Sequence, residues 1–195
     1  MEKNISKTNK ILTLLFSFLS LLFIVLMAIN SSFFEWTFAR HQNVLSWYIR
    51  PLFLIPFCYF AFKHNPFGIA LTIFLLLTSM FWFPVPVVIT DQVREFLIME
   101  KEYLTSNWTA SRILISLLVP LSLGVLAGAM WKQSIKMGIG IVVIIAIAKT
   151  VWSVMEGGES GQAVIIPALI GLVLCTLILY YGFKWFKKNK KLSSH

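Results

Sequence analysis

Residues 138–155 read GIGIVVIIAIAKTVWSVM, eighteen residues in which Lys149 is the only charge. Wound as an α-helix with a rise of about 1.5 Å per residue, such a stretch comes close to crossing a hydrocarbon core about 30 Å thick. Its apolar residues run continuously and do not alternate with polar ones, which excludes a barrel strand. Inside lipid the backbone must satisfy its own polar groups, so a helix is the form left to it.

Five further stretches have the same character: 11–29, 45–62, 66–83, 113–131 and 163–183. The chain therefore reads as an all-α integral membrane bundle of six transmembrane helices, forming a single membrane domain over 1–195 with a basic tail at 184–195. Bulk composition agrees. Of 195 residues, 58% are hydrophobic and 13% charged, whereas a soluble domain carries about a quarter charged residues. The weakest stretch is 45–62, which Arg50, Pro51 and Pro56 interrupt; a re-entrant or interfacial segment is its alternative reading. Stretch 11–29 follows Lys3, Lys7 and Lys10 as a secretory signal would, but it is longer than a signal's apolar core and no small-residue cleavage site follows. It reads as a retained helix.

Charge placement decides the orientation. With six spans and a cytoplasmic start, eleven of the 17 basic residues (Lys3, Lys7, Lys10, Lys63, Lys132, Lys136, Lys184, Lys187, Lys188, Lys190 and Lys191) fall inside. Arg40, Arg50, Arg94, Lys101 and Arg112 fall outside. Removing one span would place the lysine-rich tail outside, against the positive-inside rule. Both termini are thus expected in the cytoplasm, in a cell membrane of bacterial plasma-membrane type. Trp36, Trp47, Trp82, Trp108 and Trp152 then lie near the outer boundary and Trp131 and Trp185 near the inner one, as in an aromatic belt. The net charge of +9 reflects topology and not nucleic acid, because no basic stripe follows a folded face. No internal repeat relates the first three stretches to the last three.

The connection 84–112 begins with Pro84 and Pro86, which end the third helix and favour extended chain. A new helix should begin near Thr90 or Asp91. Projected at about 100° per residue, Asp91, Arg94, Glu95, Lys101 and Glu102 share one arc, with Val93, Phe96, Leu97, Met99, Tyr103 and Leu104 opposite. This is the pattern of an amphipathic helix on the outer side between the third and fourth spans, lying on the surface or capping the bundle. Glu100 projects into the apolar arc. Either it reaches water at a tilted or frayed helix, or it pairs with a cation below.

Lys149 is the candidate for that cation. A charge inside a span is a functional hypothesis by default; the alternatives are snorkelling to the interface or pairing with Glu156 on its own helix. Trp152 and Ser153 follow at i+3 and i+4, so Lys149, Trp152, Ser153 and Glu156 would line one wall of an outward-facing pocket. Arg50 and Arg112 are expected at similar depth. With Lys149 and Glu100 they complete a candidate site for a carboxylate, phosphate or lipid headgroup, although arginines at helix ends also serve as interfacial anchors.

Gly124 and Gly128 form a GxxxG in the fourth span, expected to pack closely against the last two spans or to support self-association. Ala168, Gly171 and Cys175 offer a small-residue face on the sixth span. Thr13, Ser17 and Ser20 make a polar stripe on the first. Cys58 and Cys175 have no metal or redox spacing, and His41, His64 and His195 lack a second ligand at metal spacing. No catalytic residues, metal site or cofactor are expected. Asn4, Asn30 and Asn107 head Asn-x-Ser/Thr triplets, which matter only in a eukaryotic secretory pathway. Three functions are compatible with these residues: a binding or transport protein with its pocket near Lys149, an accessory subunit of a membrane complex, and a lipid-modifying enzyme using Glu100, Glu156 or Glu159. The third lacks a convergent constellation. The partners implied are the lipid bilayer and another membrane protein or a second copy.

Overall fold

The computed structural model describes residues 6–192; Lys3, Asn4 and His195 lie outside the described residues, as do the side chains of Lys187, Lys188, Lys190 and Lys191. Among the described residues every regular element is helical. The chain divides into two compact units, 1–89 and 90–195.

The first unit opens with α1, Lys7–Ile29, whose N-cap Ser6 accepts a hydrogen bond from the Asn9 N–H at 3.2 Å. Asn30 closes α1 and starts the next helix at once, its side-chain oxygen accepting from the Phe33 N–H at 2.9 Å. That helix, α2, spans Ser31–His41 within a stretch the apolar pattern leaves as a connection.

Two helices follow, α3 at Leu45–Leu52 and α4 at Leu54–Phe62, with a break at Phe53. Pro51 and Pro56 cause it, since neither has an N–H to return to the carbonyl four residues earlier. The chain nevertheless keeps its course, and Leu45–Phe62 is long and apolar enough to cross a membrane. The helix α5 spans Pro66–Thr78, N-capped by Asn65, and tightens into a 3-10 turn at Ser79–Phe81.

Phe16 of α1 packs against Phe67 and Phe74 of α5 at 5.8 and 5.5 Å between ring centroids, and Phe23 lies 6.1 Å from Phe81. Ring contacts advance along both helices together, so α1 and α5 run parallel.

The second unit contains α6 (Asp91–Thr105), α7 (Ala110–Trp131), α8 (Ile135–Gly157), a 3-10 turn at Ser160–Val164 and α9 (Ile165–Leu192). Thr90 and Thr109 cap α6 and α7 through their hydroxyls. The close backbone approach in this unit occurs at Gly161, where a β-carbon would run into the Ser153 carbonyl of α8. The expected tight packing at Gly124 and Gly128 is absent: within the unit nothing lies within 4 Å of a β-carbon built on either glycine. The face of α7 that meets α8 is made instead by Leu126, Ala129 and Met130, all buried. On α9, Gly171 and Cys175 belong to a buried line that includes Pro167, Leu179 and Phe183, one residue in every four.

Among the described residues five helices have the length and apolarity to cross a membrane: Lys7–Ile29, Leu45–Phe62, Ala110–Trp131, Ile135–Gly157 and Ser160–Phe186. Pro66–Phe81 is apolar but shorter, spanning about 26 Å by standard rises. The expected third span thus stops two residues early, because the chain turns off before Pro84.

Candidate functional site

Glu100 and Lys149 meet. The Lys149 ammonium donates to Glu100 Oε1 at 3.0 Å, with the Glu100 side chain 18% and the Lys149 side chain 47% exposed. The same ammonium lies 4.3 Å from the Trp152 ring centroid and 5.7 Å from that of Phe96, within cation–π range. A carboxylate placed on the apolar arc of α6 is therefore matched by the one cation in the apolar run of α8.

The arrangement follows from how α6 is laid down. Near its start Gln92 Nε2 donates to the Glu159 carbonyl at 2.8 Å. One turn on, Phe96 and Met99 approach Gly157, where a β-carbon would come within 3.2 and 3.3 Å of them. Glu100 then reaches Lys149, and Tyr103 packs edge-on to Trp152 at 5.1 Å. As α6 advances from 92 to 103, its contacts retreat from 159 towards 149. Its side chains thus run antiparallel along the last third of α8, and its backbone lies closest to the 3-10 turn that follows, Ser160–Val164. The buried residues Val93, Phe96, Leu97 and Tyr103 are those of the expected apolar arc, while Asp91, Arg94 and Glu95 are exposed and Arg94 pairs with Asp91 at 3.0 Å.

Arg112 joins the group through aromatic rings. Its guanidinium carbon lies 5.2 Å from the Tyr103 ring centroid, and the Tyr103 hydroxyl donates to the Arg112 carbonyl at 3.3 Å. Lys149, Trp152, Tyr103 and Arg112 thus form a chain of cation, ring, ring and cation drawn from α8, α6 and α7. Phe96 and Tyr103 were hidden in the sequence as ordinary apolar-arc residues, although their places at i−4 and i+3 from Glu100 put them beside it.

Glu156 is exposed and takes no part in the Lys149 pair. Ser153 is fully buried behind Lys149, and its hydroxyl, like the Trp152 indole N–H, finds no hydrogen-bond partner in the protein. Arg50 belongs to the first unit, where its Nη1 lies 3.3 Å from Nε2 of the buried His41. His41, passed over in the sequence for want of a second metal ligand, is the organising residue there. Among the described residues no three His, Cys, Asp or Glu side chains gather in a metal-binding group.

Comparison with family models, curated proteins and solved structures finds no match to this chain.

Chemically, the site offers a half-exposed ammonium stacked on indole, a second cation on the neighbouring ring, and a buried indole donor without an acceptor. Each of these groups favours an anionic oxygen. Glu100 Oε1 now takes the Lys149 ammonium.

Proposed function

We propose that the chain is a six-span membrane protein, with both termini on the cytoplasmic side, that binds an anionic ligand at Lys149 and Arg112. Glu100 is an internal stand-in that the ligand displaces. The observation that carries this reading is the half-exposed Lys149 ammonium held by a single carboxylate on a separate helix, beside the unpartnered Trp152 indole N–H. An ion pair closed on itself for stability alone would not need to present its cation to the surroundings.

The topology is supported within the first unit by the parallel course of α1 and α5. For two helices to run in the same direction the chain must come back between them, and Leu45–Phe62 is the segment available to do so. Pro66–Phe81, though short, then makes the third crossing, at a mismatch that local thinning of the bilayer absorbs. The remaining three long helices return the lysine-rich end to the side on which Lys7 and Lys10 begin, in keeping with the positive-inside rule.

Glu100→Gln and Lys149→Met test the site in nanodiscs of phosphatidylcholine containing phosphatidylglycerol, with inorganic phosphate added to phosphatidylcholine discs as the non-lipid probe. Removing the competing carboxylate should raise anion retention, about tenfold for each 1.4 kcal/mol of competition relieved. Lys149→Met should abolish the preference for the anion. It should also destabilise the protein by about 1–3 kcal/mol, because a mostly covered carboxylate loses the Lys149 donor. Unchanged or weaker retention in Glu100→Gln would reduce the pair to a structural latch.

A second reading, an accessory subunit, is favoured by the outward side of α6 and its exit, where Ile98, Leu104 and Trp108 are exposed beside the charged arc. Copurification of a stoichiometric partner that Ile98→Glu abolishes would select it.

A further inference from the structure

The first unit contains a second polar centre, independent of Lys149. His41 closes α2 and is buried, as is Ser46 in the first turn of α3. Ser46 Oγ donates to the Asn43 carbonyl at 2.8 Å. Its single proton is thereby committed, so at the 2.9 Å contact with His41 Nδ1 the hydroxyl can only accept. Nδ1 therefore carries the ring hydrogen. The other nitrogen, Nε2, faces Arg50 Nη1 at 3.3 Å, and a guanidinium has donors only, so Nε2 must be bare. Hydrogen-bond direction at these two contacts favours a neutral His41 in that one tautomer.

We propose that His41 is a proton-binding site kept empty by Arg50, and that protonation at Nε2 expels the guanidinium and loosens the turn joining α2 to α3. A proton arriving at Nε2 turns an acceptor into a donor and sets two cations against each other in a desolvated place, with Phe38 and Trp47 packed at 6.1 and 6.0 Å from the ring. The same turn is tied to His41 by the Trp47 indole N–H, which donates to its carbonyl at 3.0 Å. The Asn43 amide also donates to the Pro84 carbonyl at 3.1 Å, so loosening would carry through to the segment after α5.

Within this unit the titratable and charged groups at that end are Arg50 and Tyr48 on α3, and Glu35 and Arg40 on α2. The Arg40 guanidinium lies 4.1 Å from the Trp36 ring centroid. Residues 79–89 and the second half of α1 carry none. Holding His41 neutral means that this ring binds fewer protons in the folded unit than in the unfolded chain, so its contribution to stability falls as pH drops.

The test is nitrogen-15 NMR on histidine-labelled full-length protein in nanodiscs. The chain has 3 histidines, so H64Q and H195Q assign the His41 signals by elimination without touching the cluster. The expected spectrum at neutral pH is the neutral ring with hydrogen on Nδ1. On acidification, amide exchange across 41–53, corrected for intrinsic rate, should accelerate together with ring protonation. In Arg50→Gln the ring should take up its proton at higher pH, because the opposing cation is gone. Hydrogen on Nε2, a cationic ring at neutral pH, amide protection unchanged through the transition, or a midpoint indifferent to Arg50→Gln would each overturn the proposal. The wild-type tautomer decides the first point even if Arg50→Gln fails to fold.

Discussion

Two glycines of the second unit carry opposite costs. At Gly161 a methyl group meets the Ser153 carbonyl, which is backbone and cannot swing aside, whereas at Gly124 it meets nothing within 4 Å. Gly161→Ala should therefore destabilise the protein by about 1–3 kcal/mol, the usual cost of overpacking. Gly124→Ala should be neutral or stabilise α7 by up to about 1 kcal/mol through helix preference. Thermal unfolding of the two variants in the same detergent checks the contrast, and equal losses would refute the assigned packing. The sequence signal points the other way here, because GxxxG is a recognisable motif and an isolated Gly161 is not. Glu100 and Lys149 were legible for a physical reason: a charge on an apolar arc and a charge in an apolar run are each costly alone. Ser46 and His41 were not, since a lone histidine and a lone serine announce nothing until a turn folds one onto the other.

At the scale of elements, α6 is the most readable and the most instructive. Its boundaries and its buried arc follow from Thr90, the preceding prolines and helical periodicity. Its direction does not, because antiparallel packing on α8 depends on Gly157, Gln92 and Tyr103 acting together. That direction changes the meaning of Lys149. With α6 beside it, Lys149 meets Glu100, the one carboxylate on the apolar arc, and is no isolated charge in apolar surroundings. The helix α2 was missed because its apolar residues do not make a span, yet Asn30 marked it as an N-cap that also closes α1. Asn30→Ala removes the side-chain acceptor of the Phe33 N–H and should cost about 1 kcal/mol. The loss should be confined to α2, seen as faster amide exchange in 31–34 with α1 unchanged. Fraying of both helices to equal extents would show that the side chain does more than cap.

For the whole molecule, composition and periodicity point to a helical membrane protein, and five of the described helices are long and apolar enough to cross a membrane. The number of crossings is harder to read, since it turns on a proline-broken segment and a short helix, each marginal when taken alone. The parallel pairing of α1 with α5 calls for a return of the chain between them, and the proposed count of six rests on that return. Both natural cysteines are buried, so single-cysteine labelling on a Cys58→Ala, Cys175→Ala background reads the topology directly. A membrane-impermeant maleimide is applied to cells before and after permeabilisation, with reporters at His64, between α4 and α5, and at Ser106, after α6. The account predicts that Ser106→Cys labels in intact cells and that His64→Cys labels only after permeabilisation. Labelling of both from the same side would contradict the six-span topology and, with it, the placement of the Lys149 site on the outer face.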